Sequence, residues 1–311
     1  MATVTSRRNE SITLPTRRRR SRRIRPGAYG YLFIAPFFIV FVIFQLYPIL
    51  YSLYLSFTDW EGYGPPGFTG LANYRHLIHD DLFATSLSNT LIIWLMSIVP
   101  ELILALVLAL ILNERKIRGK HFFRAVFYFP NIVTPVSIGV LFSLLFDWQT
   151  GAVNRVLHGL HIVDHPINWL GNPLLSQVLV AAVMCWQWFG YNMLLYIAGL
   201  QSIPPELYEA ARVDGATAVQ VARKITIPLL RPVIVFTLIT SVIGGMQIFD
   251  VPYLLNGTGP DNSTLTIVMY LYDSAFKDSH YGYASAIAYV TFLLIAVLST
   301  IVFRFSRPRA Q

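Results

Sequence analysis

The chain has 311 residues, of which 55% are hydrophobic and 13% charged, with a formal net charge of +8 and a mean hydropathy of +0.54. A soluble globular domain carries about 25% charged residues, so this composition excludes an ordinary soluble fold and points to a polytopic membrane protein. The basic excess does not imply a nucleic-acid partner, because it falls in a few short segments between long apolar runs.

Residues 1–28 are polar and Arg-rich, and are expected to form a disordered basic tail that can touch anionic membrane lipid. Ser21-Arg22-Arg23 is faintly similar to a twin-arginine signal. The apolar run after it is too long for a signal-peptide core and lacks a small-residue cleavage site. Six apolar runs are then long enough to cross a bilayer as helices: Tyr31–Phe57, Leu87–Leu112, Ala125–Phe146, Leu174–Leu200, Val233–Leu255 and Ala284–Phe303. They are too long for barrel strands and do not alternate, so helices are expected. The organisation expected is a tail (1–28), a first span with its outer loop (29–85), a five-helix transmembrane domain (86–304) and a short C-terminus (305–311).

Charge orients the spans. With the N-terminus inside, every basic residue except Arg75, Arg155 and Lys277 falls on the cytoplasmic side. The positive-inside bias therefore predicts that both termini are cytoplasmic. The outer loop Thr58–Ser86 is rich in Gly and Pro, the outer loop Asp147–Pro173 has room for a short surface helix, and the loop from Asn256 opens with a turn-forming cluster.

Between the fourth and fifth runs lies a polar island, placed in the cytoplasm by this count. Pro204 and Pro205 suit the first turn of a helix, and Glu206 and Glu209 fall where the helix dipole favours acids. Asp214-Gly215 is a helix stop, and Thr217 is an N-cap for a second short helix. Pro228 and Pro232 are expected to break the chain before the fifth span. The result is a helix–turn–helix with a small-residue face of Ala210, Ala211, Gly215, Ala216 and Ala218. Physically it is either an ordinary amphipathic surface helix or an element that a soluble partner grips.

The string Glu209-Ala-Ala-x-x-Asp214-Gly215-Ala216, followed by Ile225-x-Ile-Pro228 and Pro232, resembles the EAA loop of ABC importer permeases. Phe33-x-x-Pro36, Tyr47-Pro48, Ser56-Phe-Thr-Asp59-Trp60, Phe68-Thr-Gly-Leu-Ala-Asn-Tyr74, Phe129-Pro130 and Gly259-Pro260 extend the likeness over nearly the whole chain after the tail. They are similar to the "first permease" of maltose and glycerol-3-phosphate importers. Ala222 stands where a Phe is common, Ile227 where a Leu precedes the Pro, and Thr258 where the family has a Gly. The resemblance implies an all-α membrane protein with six transmembrane helices and the type I ABC importer permease fold, multi-pass in a bacterial inner membrane. It implies a second homologous permease, a cytoplasmic ATPase dimer held through the loop 206–232, an extracytoplasmic solute-binding protein and a sugar-like substrate. In that loop Glu209 would orient the coupling helix and Gly215 would set its turn.

No G-x-x-x-x-G-K occurs, so no cofactor is expected on this chain, and ATP with Mg would bind the partner ATPase. His158, His161 and His165 lie in an outer loop without cysteine and read better as solvent-facing side chains than as a metal site. The one cysteine, Cys185, allows no internal disulfide. Glu101, beside Pro100 within the second run, either lines a pathway or satisfies a neighbouring helix. Trp186, Gln187, Trp188, Gly190, Tyr191 and Asn192 in the fourth run, with Ser241, Gly244, Gln247 and Asp250 in the fifth, offer the aromatic, amide and hydroxyl groups that hold sugars. The resemblance adds weight to Trp188, Gly190, Ser241 and Gln247, and helix packing is the competing role for each. An ion-gradient-driven secondary transporter is the rival reading; it needs coupling acids in the spans, for which only Glu101 and Asp250 are available.

Overall fold

The computed structural model describes residues 26–114 and 117–306. The basic tail up to Arg25, Arg115, Lys116 and the residues after Ser306 lie outside the described residues. Apart from one antiparallel bridge between Thr58 and Phe68, the described residues contain helices and turns only. The chain divides into two units, Met1–Leu50 and Tyr51–Gln311.

The first unit holds α1 (Pro26–Phe41), a π turn at Val42–Leu46 and the start of α2 (Tyr47–Leu55). Its Phe37, Phe38, Ile43 and Phe44 are exposed, as expected of a helix whose apolar surface faces hydrocarbon. The π turn stands two residues before Pro48, and Tyr47 N–H donates to the carbonyl of Val42. This i→i−5 bond makes room for a proline that would clash in α register.

The second unit continues with α3 (Ala72–Ile78), α4 (Asp81–Asn113), α5 (Lys120–Ile132), α6 (Pro135–Leu145) and α7 (Ala152–Gly159). Then follow α8 (Pro173–Gln201), α9 (Pro205–Val213), α10 (Ala218–Val221), α11 (Ile227–Gly245), α12 (Asp250–Leu255), α13 (Ile267–Tyr272) and α14 (Tyr281–Ser306). Among the described residues, five stretches are long and apolar enough to cross a membrane: Phe33–Leu55, Asp81–Asn113, Pro173–Gln201, Ala218–Gly245 and Tyr281–Phe305. The bent pair α5–α6 makes a sixth if it is one span.

Two expected spans are not straight. The third, Ala125–Phe146, bends by 92° between α5 and α6. Val133 and Thr134 are both extended (ψ 138°); Pro135 favours that backbone at Thr134, whose hydroxyl caps the new helix by accepting from Ser137 N–H at 3.3 Å. The fifth, Val233–Leu255, stops at Gly245 and restarts at Asp250. The carbonyl of Ile248, left without a helical partner, accepts from the Thr266 hydroxyl at 2.6 Å. The expected break at Pro228 and Pro232 is absent, because a π turn at Ala222–Thr226 joins α10 to α11 as one continuous apolar helix. The surface helix expected in the outer loop is α7. Buried Asn154 anchors it by donating to the carbonyls of Trp148 and Ile167 and accepting from Ile167 N–H and Trp169 Nε1.

Three buried clusters hold the unit together. Ala105 and Ala109 of α4 let α8 approach closely, so that Met193, Tyr196, Ile197 and Leu200 are buried against them. Ile93, Ile138, Leu179, Val180 and Val183 join α4, α6 and α8. Leu77, Phe83, Met246, Ile267 and Ile287 form the third cluster, which includes residues of α3, α4, α13 and α14. Gly190 sits where a Cβ would lie 1.9 Å from the carbonyl oxygen of Phe127, so α5 and α8 cross almost backbone to backbone.

Candidate functional site

The polar island begins where Pro204, with ψ 130°, caps α9 and Pro205 occupies its first position. It ends in a Schellman turn: Ala216 N–H donates to Ala211 O at 2.9 Å, Gly215 N–H to Arg212 O at 3.1 Å, and Gly215 has φ +72°. Asp214 is the C-cap residue. The chain restarts through a capping box in which the Thr217 hydroxyl accepts from Gln220 N–H and the Gln220 side chain accepts from Thr217 N–H. Glu206, Glu209, Ala210, Asp214 and Gly215 are exposed, Ala216 is half-buried, and Ala211 turns inward with 8% exposure. The small-residue face is therefore divided between the protein interior and solvent. Two exposed apolar residues went unnoticed in the sequence: Val213 and Val219, at 88% and 75% exposure. Val213 sits between Arg212 and Asp214, and Val219 just after a short run of small residues, where single apolar residues carry no signal. Tyr208 secures the island by sharing a hydrogen bond with Thr226 at 3.4 Å and packing on the cluster of Leu200 and Ile203.

The candidate pathway residues fall into separate environments. Asn192 and Glu101 are both buried and bond to each other, Nδ2 donating to Oε1, so the carboxyl is satisfied by the neighbouring helix. Gly190 serves the α5–α8 crossing, and Gln187 is buried in α8. Trp186 and Trp188 are exposed, with the Trp188 ring 5.9 Å from Tyr191. Trp186 also lines an apolar cleft with Met96, Pro100, Cys185 and Phe189. Ser241 accepts from Trp94 Nε1 at 3.1 Å, and the same indole covers Gly245 so tightly that a Cβ there would meet it at 1.9 Å. Gly244 is open, and Gln247 and Asp250 are exposed beyond it. The two helices meet lower down, where Gly199 receives Leu230 and Val233 and the Tyr196 hydroxyl bonds to Thr237 at 2.9 Å.

At the opposite end from the island, side chains pin the loop that follows α12. Asn89 donates to the carbonyls of Asn262 and Leu265, and Gln177 donates to Asn89 Oδ1 and to Ser263 O. Thr90 accepts from Ile267 N–H at 3.0 Å. Asp80 caps α4 by accepting from Leu82 and Phe83 N–H, and its other oxygen accepts from the hydroxyls of both Tyr270 and Tyr283. Burial acts to raise its pKa, but the tyrosine and backbone donors outweigh it and hold the carboxyl below the usual carboxylate range.

With this geometry in place, comparison with known proteins identifies the family. Residues 90–311 match the family described as "Binding-protein-dependent transport system inner membrane component". The chain belongs to that family. It is 40% identical over 283 residues to the lactose transport system permease protein LacF of Rhizobium radiobacter, covering 90% of this chain and 94% of LacF. It is 36% identical to the arabinooligosaccharides transport system permease protein AraP of Bacillus subtilis, covering 90% and 88% of the two chains. Among solved structures, a bacterial ABC transporter involved in the import of the acidic polysaccharide alginate superposes with a TM-score of 0.81 at 23% identity, over 92% of this chain and 97% of that one. The fold is thus that of ABC importer permeases, and the chain is a multi-pass inner-membrane component.

Proposed function

We propose that this chain is the permease subunit of an ATP-driven importer for a sugar or oligosaccharide. The observation that carries the reading is the 40% identity to a lactose permease over nearly the full length of both chains. A second homologous permease would complete the translocation pathway, and a solute-binding protein would deliver sugar to the outer mouth. Membership in a binding-protein-dependent family supports the delivery partner. Both termini would be cytoplasmic, on the strength of the basic residues on that side.

The island would be the docking element for an ATPase dimer that binds ATP and Mg. Its exposed acids Glu206, Glu209 and Asp214 offer charge, and Val213 and Val219 offer apolar contact to a groove. The continuous helix Ala218–Gly245 would carry a displacement of the island to Ser241 and Gly244. Trp186, Trp188, Tyr191, Gly244, Gln247 and Asp250 are the candidates that expose a surface to a passing solute. Gln187, Gly190, Asn192 and Glu101 would hold the helices that present them.

The test is uptake in cells lacking this gene, with radiolabelled lactose, trehalose and arabino-oligosaccharides. Loss of uptake for at least one sugar, restored by a plasmid copy, is the expected result. Unchanged uptake of all of them would refute the sugar reading.

A further inference from the structure

Beyond Gln247 and Asp250, six aromatic rings form an unbroken chain toward the outer loop. Phe249 lies 5.0 Å from Tyr253 and 5.3 Å from Tyr272, ring centre to ring centre. Tyr272 lies 5.2 Å from Phe276, Phe276 6.2 Å from Tyr281, and Tyr281 5.4 Å from Trp60. The last link is built into the fold, because Gly282 N–H donates to Trp60 O and a Cβ at Gly62 would meet the Tyr281 ring at 2.7 Å. Phe276 is 64% exposed, and the other five rings are half-buried.

Charged groups sit among the rings. Asp250 begins α12 and is exposed. Lys277 pairs with Asp273 at 2.6 Å and stands 5.8 Å above the Tyr253 ring. Charges such as these are costly against lipid tails, even where Lys277 and Asp273 pair with each other. A pyranose suits both components: its C–H face rests on the electron-rich face of an aromatic ring, and its hydroxyls bond to carboxylate and ammonium groups. We infer that this run is a saccharide-binding rail leading from the outer loop to the end of α11, where the exposed pathway candidates lie. The inference rests on the proposed sugar-importer function and adds to it a separate outer binding surface.

The single native cysteine makes the rail testable. In a Cys185→Ser background, Phe276→Cys is labelled from outside in right-side-out vesicles of the assembled importer, using a membrane-impermeant maleimide. The probes are lactose, trehalose and maltotriose, with glycerol at equal osmolarity as control. Ile78→Cys, at an 80% exposed position of α3 that is not one of the six rings, is the reference site. The expected result is labelling slowed about three- to tenfold at position 276 by at least one sugar and unaffected at position 78. Phe276→Ala is expected to slow uptake of that sugar by a similar factor and Phe276→Tyr to restore it. Protection by glycerol, or by no sugar while the same vesicles import sugar, overturns the rail and leaves the importer reading intact. Labelling blocked by the second permease and indifferent to sugar makes the run a subunit interface and also overturns it. Vesicles that import none of the sugars fail the parent reading instead.

Discussion

Replacing Gly215 separates a conformational role from a contact role at the island. Its φ of +72° lies in the left-handed region, and a Cβ placed there meets nothing within 4 Å. Within this chain, then, a Cβ at position 215 acts through backbone strain rather than collision. A non-glycine residue in that region costs about 1–2 kcal/mol, and a β-branched one falls at the upper end. Because 1.4 kcal/mol is about tenfold in an equilibrium, Gly215→Val should reduce occupancy of the Schellman turn by roughly one order of magnitude. Asparagine tolerates the left-handed region, so Gly215→Asn should cost little. If the island couples ATP hydrolysis to transport, reconstituted Gly215→Val importer should hydrolyse ATP while sugar uptake per ATP falls several-fold, and Gly215→Asn should stay near wild type. Uptake and hydrolysis are measured together in proteoliposomes. Wild-type coupling in Gly215→Val, or equal losses in both variants, would refute the argument that the left-handed turn carries the function.

Gly190→Ala should lower folded yield more than any other glycine-to-alanine change in α8, because the backbone carbonyl 1.9 Å away cannot rotate aside; size-exclusion recovery in detergent checks this. Glu101→Gln should be tolerated, since it keeps an acceptor for Asn192, whereas Glu101→Leu leaves a buried amide unpaired at about 1–3 kcal/mol; thermal unfolding of the two variants should differ accordingly. For Asp80, the folded pKa is below the ordinary value, so its stabilisation is complete above that value and is lost as pH falls through the folded pKa. Acid unfolding below the usual carboxylate range should thus be steeper in wild type than in Asp80→Asn, followed by circular dichroism; identical slopes would contradict the assignment.

The sequence made some features plain and concealed others, for physical reasons. Helix ends announce themselves through short-range chemistry, so Asp214-Gly215 and Thr217 were readable, and Gln220, three residues after the cap, completed a box that was there to be seen. The bend at Pro135 was also within reach, since a threonine before a proline is a start signal, but the surrounding apolar run masked it. Close crossings are different. Gly190 against Phe127, or Gly245 beneath Trp94, depends on which faces meet, and nothing local records that. The hydrogen bonds from Tyr270 and Tyr283 to Asp80 span 190 and 203 residues, so Asp80 could be read only as one more loop acid.

Pro228 shows local proline chemistry overridden by its surroundings, and it bears on the proposed coupling. A proline in a helix interior removes one hydrogen bond and presses on the carbonyl four residues back, at a cost of about 3 kcal/mol. Here the chain widens by one residue before the proline: Ile227 N–H reaches back to Ala222 O, and the helix runs on from Ala218 to Gly245. The π turn before Pro48 repeats the device with the same two-residue offset. A break at Pro228 would have left the island hinged, free to move without moving the span. The π turn keeps the helix continuous from the capping box at Thr217 to the open glycine at Gly244, so under the proposed coupling a displacement of the island would rotate or tilt that helix. The proposed coupling needs such a rigid connection, and the residues that supply it, Ala222–Thr226, lie between the glycine turn at Gly215 and Pro228.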